Sequence, residues 1–297
     1  MIKSKTIIMI KVSNVTKKFE DVTAINNLSI EIRPGVNGLM GENGAGKSTL
    51  LRLISAIYVP TDGEVTIDER PADSLEAKNA LFFLSDNPYY PRNADIKTCV
   101  SLYASLFPLD VDKAFELIDK FKLPKGRRVN NYSKGMRRQL FIAIALAMDC
   151  SYILLDEAFD GVDPMAVEVI KQEIKEQSKT KTFIIASHSL TSLEGLCDNF
   201  ILLHKGKLSK EGNIVEEATT YQKYQILFDK EVNESDIISK GYPLSSLTRI
   251  GSISHLIFNA DFDIDSFKKD FPCSLFEKIN IDDQEVFKEN MRKEKDR

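Results

Sequence analysis

Residues 41–49 read Gly41, Glu42, Asn43, Gly44, Ala45, Gly46, Lys47, Ser48 and Thr49. They complete the pattern G-x-x-x-x-G-K-[ST], in which backbone N–H groups surround phosphates, the lysine neutralises β/γ oxygens and the serine hydroxyl reaches Mg²⁺. A short strand at residues 35–40 leads into the loop, and a helix at residues 48–57 leaves it, which is the context that this motif requires. The stretch therefore predicts an α/β domain that binds a nucleotide.

Length and composition limit the alternatives. A chain of 297 residues suggests two domains, one of them large. The net charge of -4 gives no basic field, so we expect no nucleic acid partner. The four cysteines lie far apart without a C-x-x-C pair, as in a reducing cytosol. The longest apolar runs are too short to span a bilayer, so any work in the membrane would fall to another subunit.

Periodicity assigns the remaining elements as far as residue 212. Two strands, at residues 9–19 and 27–32, are expected to form an antiparallel ribbon beside the loop. From residue 88 to about 148 the pattern changes to helix, which indicates helices inserted into the α/β domain. The other predicted elements are strands at 64–68, 80–84, 152–156, 182–186, 199–203 and 207–210 and helices at 94–106, 111–121, 137–148 and 164–179.

Two carboxylates follow the apolar strand at residues 152–156. Because parallel strands direct their carboxyl ends toward the ligand crevice, Asp156 is expected to hold Mg²⁺ and Glu157 to polarise an attacking water. The alternative is a solvated acidic turn. His188 follows the strand at residues 182–186 and would meet a γ-phosphate at the same edge, although a lone histidine is more often structural.

Two further segments have both a structural and a functional interpretation. Phe19 precedes a turn at a distance from the loop that suits stacking on adenine, yet its position fits an ordinary core phenylalanine equally well. Ser133 is a good helix N-cap, and most such serines do only that. A helix start with Ser133 and Gly135 is also a place where a phosphate could bind.

The pattern changes again after Gly212. Strands at residues 221–228, 252–258 and 274–281 and short helices at 234–240 and 264–271 predict a small α+β domain over residues 213–297. The charged end, residues 291–297, is expected to fray.

The ordered motifs strongly resemble the nucleotide-binding subunit of an ATP-binding-cassette (ABC) transporter over residues 9 to about 212. The motifs are the phosphate loop, the segment from Asn130 to Met136, the strand ending in Asp156 and Glu157, Gly161-Val162-Asp163, and Ser187-His188. The resemblance implies an ABC cassette, residues 1–212, of the P-loop NTPase type. Its parts would be a mixed sheet core, an antiparallel β subdomain and a helical subdomain at about 88–148.

In that family two cassettes close head to tail around two ATP. The resemblance implies Phe19 on adenine, Lys47 and Ser48 on phosphate and Mg²⁺, and Glu157 as the base. His188 would contact the γ-phosphate, and Asp163 would lie across the interface. The segment Ser133, Gly135 and Met136 would bind the ATP held by the other subunit.

Two departures from the family pattern matter. The signature reads Tyr-Ser-Lys-Gly-Met instead of Leu-Ser-Gly-Gly-Gln, which resembles ABC-2-type exporters, including antibiotic-peptide resistance and lantibiotic-immunity systems. Asp86 occupies the position expected for the glutamine of the Gln loop, and a carboxylate there can also ligate Mg²⁺.

We therefore expect an ATPase subunit of an exporter, at the cytoplasmic face of the cell membrane. Its partners would be a second copy of the cassette and a separate transmembrane permease. A soluble ABC ATPase and the ATPase of an importer remain the alternatives. A regulatory cassette without turnover is disfavoured because Glu157 and His188 are both present.

Overall fold

The structure, a computed structural model, describes residues 9–282, 285, 286 and 289. The chain divides into two compact units, Met1–Glu211 and Gly212–Arg297. The predicted frayed end at residues 291–297 lies outside the described residues. Up to residue 213 the strands are β1 (Ile10–Phe19), β2 (Val22–Ile32), β3 (Val36–Met40), β4 (Asp62–Ile67), β5 (Arg70–Pro71), β6 (Leu81–Leu84), β7 (Tyr152–Asp156), β8 (Thr182–Ser187), β9 (Asn199–His204) and β10 (Lys207–Asn213). The helices are α1 (Lys47–Ile54), α2 (Leu75–Ala80), α3 (Ile96–Leu106), α4 (Val111–Lys120), α5 (Lys134–Leu146), α6 (Pro164–Gln177) and α7 (Leu190–Leu193).

A six-stranded sheet forms the centre of the first unit. Its strand order is β10-β9-β3-β8-β7-β6, and the pairs β9–β3, β3–β8, β8–β7 and β7–β6 are parallel. Strands β3, β7 and β8 are buried along their whole length, which explains the apolar runs of β7 and β8. The phosphate loop follows β3, Glu157 follows β7 and His188 follows β8, so parallel pairing brings all three motifs to one edge.

A four-stranded antiparallel sheet, in the order β2-β1-β4-β5, packs beside the phosphate-loop helix. Its inward residues, among them Val15, Ile25 and Ile30, share one buried cluster with Leu50 and Leu51 of α1. Tyr152 of β7 joins the same cluster and donates a hydrogen bond to Asp68 Oδ1 over 2.6 Å. The expected antiparallel ribbon is confirmed, and β2 begins at Val22, five residues earlier than predicted.

Several element boundaries were wrong in the sequence interpretation. The first helix ends at Ile54, because the chain turns at Ala56, which has φ +54°. Helix α5 begins at Lys134, directly after its N-cap Ser133, whose Oγ accepts a hydrogen bond from Met136 N over 3.1 Å. The short helix α2 was missed because it has only six residues and one buried side chain.

The second unit contains α8 (Ile214–Ala218), β11 (Gln222–Phe228), α9 (Glu234–Ser239), β12 (Leu244–Ile250), β13 (Ile253–Phe258), α10 (Ile264–Asp270) and β14 (Cys273–Ile279). Its antiparallel sheet has the order β12-β13-β11-β14, which is the ferredoxin-like split β-α-β arrangement. Ile237 of α9 and Phe267 of α10 pack on one face with Tyr224 and Phe258. The predicted α+β character is confirmed, although strand β12 was missed.

Candidate functional site

The phosphate loop has a backbone that only glycine accommodates at two of its positions. Gly41 and Gly46 have φ +153° and +105°. A Cβ at Gly41 would lie 2.4 Å from Leu203 O, and one at Gly46 would lie 2.7 Å from Ala24 O. Gly46 is also the N-cap of α1, so the loop turns directly into the helix whose N-terminus faces the phosphates.

Lys47 lies inside the loop that it would serve. Its ammonium donates hydrogen bonds to Gly41 O over 2.7 Å and Glu42 O over 3.1 Å, and lies 3.9 Å from Glu157 Oε1. Burial lowers the pKa of Lys47, while the negative charges of Glu157 and Asp156 act in the opposite direction. The loop therefore presents a partly desolvated cation beside the carboxylates of Asp156 and Glu157.

Ser48 and Asp156 form the part of the site that suits Mg²⁺. Ser48 Oγ donates to Asp156 Oδ1 over 3.1 Å, and Asp156 is 1% exposed. Burial raises the pKa of Asp156, and the Ser48 hydrogen bond opposes that shift. Asp156 Oδ2 is buried without a hydrogen-bond partner among the described residues, as expected of an oxygen that awaits a cation or its water.

Among the described residues, few protein groups are placed to act as metal ligands here, which fits Mg²⁺. The described part of the chain holds no cluster of three or more His, Cys, Asp or Glu side chains that could cage a metal. Mg²⁺ commonly binds through one or two carboxylates together with substrate phosphates, and Ser48 and Asp156 would form the protein part of such a site. Asp86, the third predicted metal residue, instead has its Oδ1 3.7 Å from Arg52 Nη2 and is 56% exposed.

Glu157 is held in an unusual backbone conformation. Its φ is +49°, in the left-handed region, and its N–H donates to Ala186 O over 3.0 Å. Its Oε2 lies 2.8 Å from His188 Nδ1. Such backbone conformations cost of order 1 kcal/mol and persist where the surroundings fix them. The structure thus brings Glu157, His188 and Lys47 together, although they come from three separate segments of the chain.

A cavity of about 600 Å³ opens beside these groups. Its lining includes Asn43, Gly44, Gly46, Lys47, Ser48, Thr49 and Glu157, together with Phe19, Val22, Thr23, Ala24 and Lys205. Phe19 is 39% exposed and makes an edge contact with Tyr58, with ring centroids 5.2 Å apart. Because the Phe19 ring remains accessible beside the phosphate loop, it is available to stack on a nucleotide base. A phenylalanine buried in the core would not be accessible in this way.

Sequence reasoning missed two residues of this region. Lys205 lines the cavity from the turn between β9 and β10, and no motif marks it. Arg138 is 5% exposed in α5. A charged residue so close to the apolar run that begins at Leu140 was the available signal.

The signature segment, residues 132–136, lies at the start of α5 and contacts the loop after β7. Gly135 is buried against the loop after β7, where a Cβ would lie 2.2 Å from Gly161 O. Lys134 Nζ lies 2.5 Å from Asp160 Oδ2 in that loop. Asp163 is the N-cap of α6, and its Oδ1 accepts a hydrogen bond from Met165 N over 2.9 Å.

The parallel sheet, the glycine-rich loop and the carboxylates at one edge define a P-loop nucleotide-binding domain. Comparison with known proteins narrows this class. The ABC transporter family profile matches residues 25–160. The protein NatA of Bacillus subtilis, an ABC transporter ATP-binding protein, is 31% identical over 225 residues, which cover 69% of this chain and 89% of NatA. The chain belongs to the ATP-binding proteins of ABC transporters, and it is an ATPase.

Other relatives extend this result. The ABC transporter ATP-binding protein YtrB of B. subtilis is 28% identical over 94% of this chain and 97% of its own length, so the similarity reaches into the second unit. A dimeric bacterial ABC transporter cassette matches with a TM-score of 0.61 and 25% identity over 69% of this chain and 98% of its own. Relatives with 28 or 29% identity are named for lantibiotic transport, bacitracin transport and methionine import.

Proposed function

We propose that this chain is the ATPase subunit of an exporter. It binds at the cytoplasmic face of the cell membrane to a separate transmembrane permease, and two copies close head to tail around two Mg²⁺–ATP. The residues after 212 form an accessory domain that tunes assembly and does no chemistry. Within the described part of the chain, no helix is long and apolar enough to cross a bilayer.

One observation carries the head-to-tail arrangement. The cavity beside the phosphate loop is lined by the loop, Phe19 and Glu157, and its described lining contains none of Ser133, Gly135 and Met136. The signature helix nevertheless has an N-terminus with Ser133 as cap and no acidic residue in its first turn. Such an end suits a phosphate. A second copy supplies that phosphate most simply.

Hydrolysis then follows from the positions of the side chains. Lys47 balances charge on the β- and γ-phosphates, and Phe19 stacks on adenine. Glu157 orients the attacking water and accepts its proton as the bond to the γ-phosphorus forms, while the bond from that phosphorus to the β–γ bridging oxygen breaks and ADP leaves. When bound, Mg²⁺ neutralises phosphate charge, and Ser48 and Asp156 would hold it.

The Glu157–His188 pair must rearrange during the cycle. When Nδ1–H donates to the carboxylate, a neutral imidazole has no proton on Nε2, so it cannot also donate to a γ-phosphate. We infer that ATP draws His188 away from Glu157. That movement frees Glu157 Oε2 for the water.

Replacement of Ser133 with arginine tests the shared site. The bulky cation would block the dimer interface, so we expect loss of ATPase activity and of the ATP-dependent dimer, with nucleotide binding by the monomer close to wild type. Ser133→Ala is the comparison, because it removes the hydroxyl and the helix cap, at a cost of about 1 kcal/mol, but adds neither bulk nor charge to the interface. Wild-type ATPase activity in Ser133→Arg would contradict the head-to-tail proposal.

Asp86 has its own test. Its ion pair with Arg52 is exposed and is worth less than about 1 kcal/mol, so substitution should leave the melting temperature nearly unchanged. If the carboxylate contacts Mg²⁺, Asp86→Ala lowers Mg²⁺-dependent turnover, whereas Asp86→Gln retains much of it. Equal turnover in the three proteins would identify Asp86 as a turn residue.

The signature sequence and the names of the relatives bear on the direction of transport. The signature Tyr-Ser-Lys-Gly-Met and the relatives named for lantibiotic and bacitracin transport favour an exporter. A relative named for methionine import keeps the importer as the second candidate. A solute-binding protein encoded beside this chain would favour import, and a polytopic partner in a peptide-resistance cluster would favour export.

A further inference from the structure

Arg138 contacts the ends of two strands at the catalytic edge, the edge of the six-stranded sheet that carries the phosphate loop, Glu157 and His188. It lies in the second turn of α5 and is 5% exposed. Its Nη1 lies 3.2 Å from Ser85 O, directly after β6, and 3.5 Å from Asp156 O, the last residue of β7. One guanidinium on the signature helix therefore spans the carboxyl ends of two neighbouring parallel strands.

The contact to Asp156 fixes a particular peptide group. The carbonyl of Asp156 and the N–H of Glu157 belong to the same peptide plane. Arg138 donates to the Asp156 carbonyl, and the Glu157 N–H donates to Ala186 O over 3.0 Å. Both ends of the plane are thus held, one by α5 and one by β8. The strained φ of +49° at Glu157 starts from this plane, so its orientation determines where the carboxylate points.

Burial of a guanidinium costs free energy that burial of an apolar side chain of similar size does not. Desolvation of a charge costs several kcal/mol, and apolar residues of similar size often pack as well or better. Burial lowers the pKa of Arg138, and the negative charges of Asp86, Asp160, Asp156 and Glu157 act in the opposite direction. The cation is therefore placed where the carboxylates of the catalytic edge converge.

The same helix has a second attachment to the loop after Glu157. Lys134, four residues before Arg138 and hence on the same face of α5, pairs with Asp160. The Lys134 side chain is 63% exposed, so this ion pair contributes little by itself. The buried Arg138 is the stronger connection.

We propose that Arg138 is a positioning residue for ATP hydrolysis, which holds the Asp156–Glu157 peptide and thereby sets the orientation of the catalytic carboxylate. This inference rests on the proposed role of Glu157. A displacement of about 1 Å at a reacting group can cost as much as 10²-fold in rate, so the effect falls on kcat. Arg138 lies outside the lining of the nucleotide cavity, so KM for ATP should change little.

The test compares two substitutions of Arg138 with the substitution of a half-buried lysine, Lys181. Lys181 Nζ donates to Met148 O over 2.6 Å and precedes β8, at the end opposite the catalytic edge. We expect Arg138→Gln to lower kcat about 10-fold or more, with KM for ATP within about threefold of wild type. Arg138→Lys keeps the positive charge but not the planar, forked set of N–H donors, so it should recover part of the lost kcat. Lys181→Gln should lower the melting temperature and leave kcat per folded molecule unchanged.

The outcomes separate this inference from the proposed function. If Arg138→Gln does not fold, Arg138→Lys serves alone, and a lower kcat at unchanged KM supports the proposal. Wild-type kcat in the folded Arg138 variants, while Glu157→Gln is inactive in the same assay, overturns the role of Arg138 only. Wild-type kcat in Glu157→Gln overturns the role of Glu157 and the inference together.

Discussion

Replacement of Glu157 with glutamine is expected to lower kcat by about 100-fold or more, since positioned proton transfer contributes 10²–10⁴-fold in comparable reactions. The amide keeps the shape of the side chain and its contact with His188 but cannot accept the proton of the attacking water. Lys47, Ser48 and Asp156 remain in place, so Mg²⁺–ATP should bind about as well as to wild type. With the γ-phosphate retained, the ATP-bound dimer should accumulate.

Steady-state ATPase assays and size measurements with and without ATP test both parts of this result. Glu168→Gln is a suitable control, because this acid lies on α6, is 68% exposed and pairs with Lys171 at the surface. It should retain wild-type turnover and form no trapped dimer. Unchanged turnover in Glu157→Gln, without dimer accumulation, would remove Glu157 from the catalytic site.

Replacement of Gly135 with alanine is expected to lower both stability and kcat. In an ordinary helix alanine is better than glycine by about 1 kcal/mol. Here its Cβ would lie 2.2 Å from Gly161 O, so α5 and the loop after Glu157 must separate by about 1 Å. Overpacking of this kind costs about 1–3 kcal/mol, and the displaced loop carries Glu157 at one end. We expect a lower melting temperature without nucleotide and a kcat reduced at least 10-fold.

Gly126→Ala provides the matched control. Gly126 has φ +88° and nothing within 4 Å of the new Cβ, so the substitution strains the backbone by about 1–2 kcal/mol without a clash. It should lower the melting temperature and leave kcat unchanged. A Gly135→Ala protein with wild-type stability and turnover would contradict the tight packing of the signature on the loop.

The loop, the helix starts and the strands could be read from the sequence because their causes are local. Glycines supply the left-handed backbone at Gly41 and Gly46, and short polar side chains cap helices at Ser133 and Asp163. Apolar runs marked the buried parallel strands. Boundaries failed where the backbone turned before the apolar pattern ended, as at the first helix, which ends at Ile54, three residues early, because Ala56 has φ +54°.

The sequence by itself determined that this chain carries a nucleotide site and which motifs form it, because those motifs are encoded within a few consecutive residues. Tertiary structure decided how they meet. Glu157 and His188 are 31 positions apart and Arg138 and Ser85 are 53 apart, yet each pair is in hydrogen-bond contact. Parallel strand pairing aligns these strand ends at one edge of the sheet, and burial of α5 against them sets the distances. Neither cause operates within a stretch of sequence short enough to form a motif.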